Sequence, residues 1–214
     1  MYVGRIVAIG CTSNGQASAM YRVSSRSFPN RRAVVRDSSA AIVPKPGFED
    51  DIMKNPYIAY NCLRIVGNVA VATNGSQTDP IAEKLESGMS IRDALVSVLC
   101  ALDYEKDDYN TPRIAAVADP GSKTGYLGIV RHDALLVEAF DLTPSRAYYV
   151  CTYEHNRPSV DYGDSQFNCS GAEQACSYIL GQGVFADLEK PVSAACAVQT
   201  AGDGYEVAAR DADQ

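Results

Sequence analysis

The sequence predicts an α+β fold built in packed layers. Three observations carry this reading: short β-branched, aromatic or alternating runs recur along the chain, hairpin signals join some of them, and helical periodicity is confined to a few blocks. A doubly wound parallel sheet would need strict strand–helix alternation, which is missing. Two packed sheets flanked by helices accommodate the count.

Strands are expected over residues 3–9, 19–23, 40–43, 57–65, 69–73, 113–117, 126–130, 135–140, 147–152, 193–200 and 205–209. Gly67-Asn68 is a two-residue hairpin signal, and Ala201-Gly202-Asp203-Gly204 reads as another turn. Asp79 and Pro80 suit the cap and first position of a helix that Gly88 closes. Ser90-Ile91-Arg92-Asp93 opens the next with a capping-box pattern. Its apolar residues Ile91, Leu95, Val98, Leu99 and Leu102 share one face. A third helix opens at Ser170-Gly171-Ala172-Glu173 and ends near Gly181 or Gly183. No linker, repeat or low-complexity run divides the chain, so residues 1–214 are expected to form a single domain.

Composition narrows the functional classes. No apolar run approaches a membrane span, and the first ten residues read as a strand rather than a leader, so a cytoplasmic protein is expected. Seven cysteines, at 11, 62, 100, 151, 169, 176 and 196, contain no C-x-x-C, and neither His132 nor His155 neighbours one. They read as reduced, packed side chains rather than a zinc site. Glycine-rich nucleotide-cofactor motifs are missing after the strands. Net charge is −7, yet residues 1–36 hold six arginines and no acid. A cationic segment in an acidic chain suits a compact anion and disfavours nucleic acid.

Three segments could carry chemistry. The first, Tyr21-Arg22-Val23-Ser24-Ser25-Arg26-Ser27-Phe28-Pro29-Asn30-Arg31-Arg32, reads as a strand end followed by a loop. Arginine forks bind phosphate bidentately, and serine hydroxyls such as Ser24 complete such a cradle. Phe28-Pro29 would stiffen it. A solvated basic loop is the plain alternative. The second joins Asn55-Pro56-Tyr57-Ile58-Ala59-Tyr60-Asn61-Cys62 to Thr73-Asn74-Gly75-Ser76. Alternation places Tyr60 and Asn61 on opposite faces. Asn74 could present its amide into a cleft or could simply be a turn residue. The third, Asp103-Tyr104-Glu105-Lys106-Asp107-Asp108, follows an apolar helix. Several acids at a helix C-terminus oppose the macrodipole, and a partly buried carboxylate there could titrate near working pH. A charged, solvated terminus remains the alternative.

In this order, these segments resemble the archaeal-type inosine monophosphate (IMP) cyclohydrolases. The resemblance rests on residues 21–31, 55–62, 74–76 and 103–107, extends through Asn110-Thr111-Pro112-Arg113-Ile114-Ala115-Ala116, and covers roughly the first 115 residues. It implies a four-layered αββα sandwich like that of the N-terminal nucleophile hydrolases, without autoprocessing. It implies closure of 5-formamidoimidazole-4-carboxamide ribotide (FAICAR) to IMP with loss of water, the last step of purine nucleotide synthesis. FAICAR and IMP would be its ligands, a homo-tetramer its assembly, and no cofactor would be needed.

Carried over by position, Arg31, Tyr60, Asn74 and Glu105 are expected in the site, with Lys106 and Arg26 next. Arg22, Ser24, Arg26 and Asn61 are expected to bind substrate, with Arg26 and Arg22 on the phosphate. Arg31 would lie nearer the base or the formyl oxygen, and Asn74 would fix the carboxamide. Glu105 would relay protons, while Tyr60 and Lys106 would donate to the formyl oxygen. Nothing beyond residue 115 matches a motif, which leaves Tyr153 and His155 without roles. Two other classes remain: a non-catalytic nucleotide-binding protein, and an amide hydrolase matured by cleavage at Gly10-Cys11.

Overall fold

A computed structural model describes residues 1–202 and 204–212. Its strands, in chain order, are β1 (Ile6–Cys11), β2 (Ala17–Ser24), β3 (Arg31–Arg36), β4 (Ser39–Pro44), β5 (Tyr60–Val66), β6 (Val69–Thr73), β7 (Arg113–Asp119), β8 (Thr124–Arg131), β9 (Ala134–Asp141), β10 (Arg146–Cys151), β11 (Gly163–Asp164), β12 (Pro191–Gln199) and β13 (Tyr205–Asp211). The α-helices are α1 (Asp51–Lys54), α2 (Thr78–Glu86), α3 (Ile91–Leu102) and α4 (Ala172–Gly181).

The fold is α+β, with two antiparallel sheets. One has the order β11-β10-β1-β2-β12-β13, and the other runs β3 to β9 in sequence order. Period-2 alternation sorts each strand's side chains between two faces. Val7, Ile9, Tyr21 and Val23 of the first sheet share a core with Ile42, Tyr60, Ile114 and Ala116 of the second. The opposite face of the first sheet, with Ile6, Ala8 and Met20, packs under Ala175 and Ile179 of α4. Val71 and Val117 on the outer face of the second sheet pack under Ile81 of α2 and Leu95 of α3. No helix among the described residues is long and apolar enough to cross a membrane.

The Gly67-Asn68 hairpin forms as expected: Val66 pairs with Val69, and Gly67 takes φ +56°, the left-handed conformation this turn requires. Ser90 caps α3 by accepting from the Asp93 amide. Three expectations need correction. The strand expected from 57 starts only at Tyr60, because Asn55 accepts from the Tyr57 amide at 2.8 Å and Pro56 opens a 3-10 turn over Pro56–Ile58. The loop expected through Arg32 ends at Asn30, and Arg31 begins β3. Helix α2 starts at Thr78, which puts Asp79 and Pro80 inside its first turn rather than at its cap. The short elements α1 and β11 were not foreseen. Asp203 of the expected 201–204 turn lies outside the described residues.

Candidate active site

Chain ends from several strands converge at one end of the layer between the sheets. Arg5 precedes β1, Ser24 ends β2, Arg31 starts β3 and Arg113 starts β7, while Tyr153 follows β10. All of these but Arg113 line a cavity of about 580 Å³, together with Tyr2, Arg26, Phe28, Lys54 and Asp108 among others. That volume suits a small ligand.

Two turns shape the walls. Ser25 Oγ accepts from the Phe28 amide, and the Phe28 carbonyl accepts from Arg31 Nε at 3.0 Å. The loop from 103 to 111 closes on Asp107, whose carboxylate accepts from the Tyr109 and Thr111 amides and the Thr111 hydroxyl. The Glu105 amide donates to the Thr111 carbonyl at 2.8 Å, which turns the Glu105 side chain inward.

Glu105 is fully buried and stands behind the cavity lining, against the lining residue Arg5. Its Oε2 lies 3.5 Å from Arg5 Nη1 and its Oε1 lies 3.9 Å from Arg113 Nη1. Among the described residues, neither oxygen has a hydrogen-bond partner, and neither do Arg5 Nε and Arg31 Nη1. Burial raises the Glu105 pKa, against the pull of Arg5 and Arg113. Burial lowers that of Arg31, and the like charge of Arg5 adds to this. Buried polar groups normally find partners, so four convergent orphans mark a place built for something else. Tyr21 and Tyr60, one from each sheet, share a 2.6 Å hydroxyl–hydroxyl bond beside the arginines. Burial raises both phenol pKa values, and the fields of Arg31 and Arg5 oppose this at Tyr60.

The other expected site residues lie elsewhere or are engaged within the protein. Arg22 faces α4, because alternation along β2 puts it opposite Tyr21. It is fully buried and donates to Ser24 Oγ and to the carbonyls of Ile179, Leu180, Leu188 and Glu189. It therefore satisfies the C-terminal end of α4 and is not available to grip an anion. Burial lowers its pKa to about 10, which leaves it charged at neutral pH. Asn61 points outward and donates to Asp79.

Asn74 is fully buried. Its Oδ1 accepts from the Ile114 amide and Gln77, and its Nδ2 donates to the Pro112 carbonyl. It ties β6 to β7 rather than reaching into the cavity. Lys106 is exposed, pairs with Asp103 and lies over the Tyr104 ring. Arg26 stands at the cavity rim, 4.0 Å over the Tyr2 ring and 3.7 Å from Glu189. Tyr153 lines the cavity and meets the Thr111 hydroxyl, whereas His155 stacks on Tyr162 and meets Tyr149.

Sequence reasoning missed Arg5, Arg113 and Tyr21 as members of this cluster. Tyr21 was available from alternation, since only one of Tyr21 and Arg22 can face the other sheet. Arg5 carried no local motif and could be counted only as part of the N-terminal cationic excess.

Residues 2–204 match the family described as IMP cyclohydrolase-like protein. The chain is 47% identical over 198 residues to the IMP cyclohydrolase of Methanosphaera stadtmanae, covering 92% of this chain and 94% of that protein. It is 48% identical over 211 residues to the enzyme so named from Methanocella arvoryzae, with 97% and 96% covered. The counterpart from Methanocaldococcus jannaschii is 42% identical over 212 residues, with 98% and 99% covered. The similarity thus runs far beyond residue 115, where the motifs stopped. The chain belongs to the IMP cyclohydrolase-like family.

Proposed function

We propose that the protein is an IMP cyclohydrolase that closes FAICAR to IMP and releases water. The single observation that carries this reading is the buried, unbonded Glu105 carboxylate set among Arg5, Arg31 and Arg113. Its membership of a family whose relatives bear that name supports the substrate.

The reaction is intramolecular. The carboxamide nitrogen attacks the formyl carbon and loses a proton, and the formyl oxygen becomes a hydroxyl. That hydroxyl takes a second proton and leaves as water while the formamide nitrogen gives up its hydrogen. The protein must hold the folded conformer, accept and return protons, and stabilise charge on the formyl oxygen. Glu105 suits the proton transfers, because burial raises its pKa toward working pH. Arg5 Nε and Arg31 Nη1 are free, charged donors for the formyl oxygen. The Tyr21–Tyr60 pair can pass a proton to the departing hydroxyl.

Because Glu105 is fully buried behind the lining and Arg26 is exposed, the reacting ring is the end that inserts, which leaves the phosphate at the rim with Arg26, Ser25 and Ser27. On this reading Arg22, Asn61, Asn74 and Lys106 serve as supports or surface groups.

Residues 1–214 would form one such domain, in the αββα arrangement of the N-terminal nucleophile hydrolases. The packing of α4 on one sheet and of α2 and α3 on the other supports this. Autoprocessing at Cys11 does not suit it: Gly10 and Cys11 are paired on both sides within β1, and a side chain at Gly10 would strike Phe167. A homo-tetramer, which the family resemblance implies, is checked by light scattering, and the cytoplasmic placement by cell fractionation. Absorbance changes on mixing with FAICAR test the function directly, and binding without ring closure overturns it.

A further inference from the structure

Gln77 is fully buried and occupies the cap position of α2, yet its side chain does not cap that helix. It is used sideways instead. The backbone fixes its orientation in two steps. The Ile114 amide needs an acceptor and the Pro112 carbonyl a donor, so Asn74 must present Oδ1 to the first, at 2.8 Å, and Nδ2 to the second, at 2.9 Å. Asn74 Oδ1 then also accepts from Gln77 Nε2 at 2.7 Å, and the same nitrogen donates to the Ile114 carbonyl at 3.2 Å. With its nitrogen committed, Gln77 can present only Oε1 on the other side. That oxygen accepts from Arg113 Nη1 at 3.1 Å, while Arg113 Nε donates to the Asp103 carbonyl at 2.9 Å.

The consequence falls on Glu105. Arg113 is anchored at both ends of its fork by neutral acceptors, and its Nη1 stops 3.9 Å from Glu105 Oε1, too far for a hydrogen bond. Gly75 supplies the space: a Cβ there would lie 2.7 Å from Gln77 Oε1 and 2.9 Å from Arg113 Nη1. We propose that Gln77 is a positioning residue that holds Arg113 off Glu105, leaving both carboxylate oxygens free to exchange protons with the substrate. This rests on the reading of Glu105 as the proton-transfer group.

The groups acting on Glu105 come from several elements. They are Arg5 before β1, Arg31 on β3, Asp107 in its own loop and Arg113 on β7. Tyr21 and Tyr60 reach it through Arg5. Among the cations of this set, Arg113 is the one whose guanidinium is held by a neutral side chain, Gln77, at 3.1 Å among the described residues.

The test is Gln77→Met, which keeps the volume and removes the acceptor. Arg113 then turns to Glu105 and donates to it, which stabilises the charged carboxylate. The expected result is an acid limb of the kcat–pH profile displaced about one unit toward lower pH, with kcat reduced about tenfold and KM little changed. Carbon-13 NMR titration of the Glu105 carboxyl should move the same way. That readout needs no turnover, so it separates failure of this proposal from failure of the catalytic reading.

A fall in kcat with an unmoved limb and an unmoved carboxyl titration would mean a merely structural role and overturns the proposal. Gln77→Glu guards against a variant that does not fold. Its carboxylate holds Arg113 more firmly and adds negative charge, so the limb should move to higher pH, and an unmoved or downward limb also overturns the proposal.

Discussion

The layer beneath α4 and the end of the layer between the sheets both bury arginine, yet they treat it in opposite ways. Under α4, Arg22 meets one hydroxyl and four carbonyls. Between the sheets, among the described residues, Arg5 and Arg31 each keep an unpartnered donor, and Glu105 keeps two unpartnered acceptors. Burial and charge are shared by both regions, so neither separates a structural group from a reactive one. Hydrogen-bond saturation does. A saturated buried cation contributes stability, whereas an unsaturated cluster is held in place by the rest of the fold and is ready for a ligand.

The contrast breaks most severely at Glu105. Glu105→Gln should lower kcat by a factor on the order of 10² to 10⁴ with little change in KM, measured by FAICAR closure. Full kcat in that variant would remove the proton-transfer role. A pH dependence accompanies it. The folded pKa of Glu105 is raised, so between the ordinary carboxylate value and the raised one the native state binds more protons than the unfolded state. Stability contributed there falls as pH rises through that window, and turnover falls as pH drops through it. Thermal melts across pH should show that slope in the native protein and not in Glu105→Gln.

At Arg22 the effect should be on stability alone. Arg22→Met strands several buried carbonyls and should cost on the order of 3 kcal/mol in denaturant unfolding, with kcat of the folded protein retained. Loss of kcat at full stability would erase the distinction between the two regions. Tyr60→Phe sharpens it from the other side. The change leaves the Tyr21 hydroxyl without its partner, so kcat should drop roughly tenfold while stability falls by about 1 kcal/mol. Arg26→Ala, at the rim, should raise KM several-fold and leave the melting temperature unchanged. Lys106→Ala should leave both the melting temperature and turnover unchanged, because its side chain is exposed and pairs only on the surface.

Much of this was legible in the residues, and the failures have physical causes. Alternation located most strands of both sheets, and the Ser90 box and Gly67-Asn68 turn behaved as local chemistry dictates. Segment 55–59 misled because Asn55 and Pro56 impose a turn on residues that otherwise suit a strand. Arg31-Arg32 looked like loop because a strand carrying adjacent arginines has one buried and one exposed, a pairing that neither hydropathy nor propensity reveals. Motif position pointed to Glu105, Tyr60 and Arg31, which the fold places near one another, whereas alternation turns Arg22 toward α4 and Asn61 outward. Tyr21 with Arg22, and Tyr60 with Asn61, are neighbours on strands, so only one of each pair can look inward. Arg113 and Gln77 were not legible because their roles depend on contacts across more than thirty residues of chain.

The two sheets also differ in when they can exist. The second sheet joins β3 to β9 in sequence order, so its pairings can form as the chain leaves the ribosome. The first sheet seats β2 against β12, with Arg22 opposite Ala194. Tyr21 and Tyr60 therefore face each other across a partner sheet that is incomplete until the last strands arrive. Until residues 188 and 189 are made, Arg22 lacks two of the four carbonyls that anchor it. A chain halted before β12 would leave one edge of β2 unpaired, so the wall of the cavity at Ser24 would be the last to be fixed.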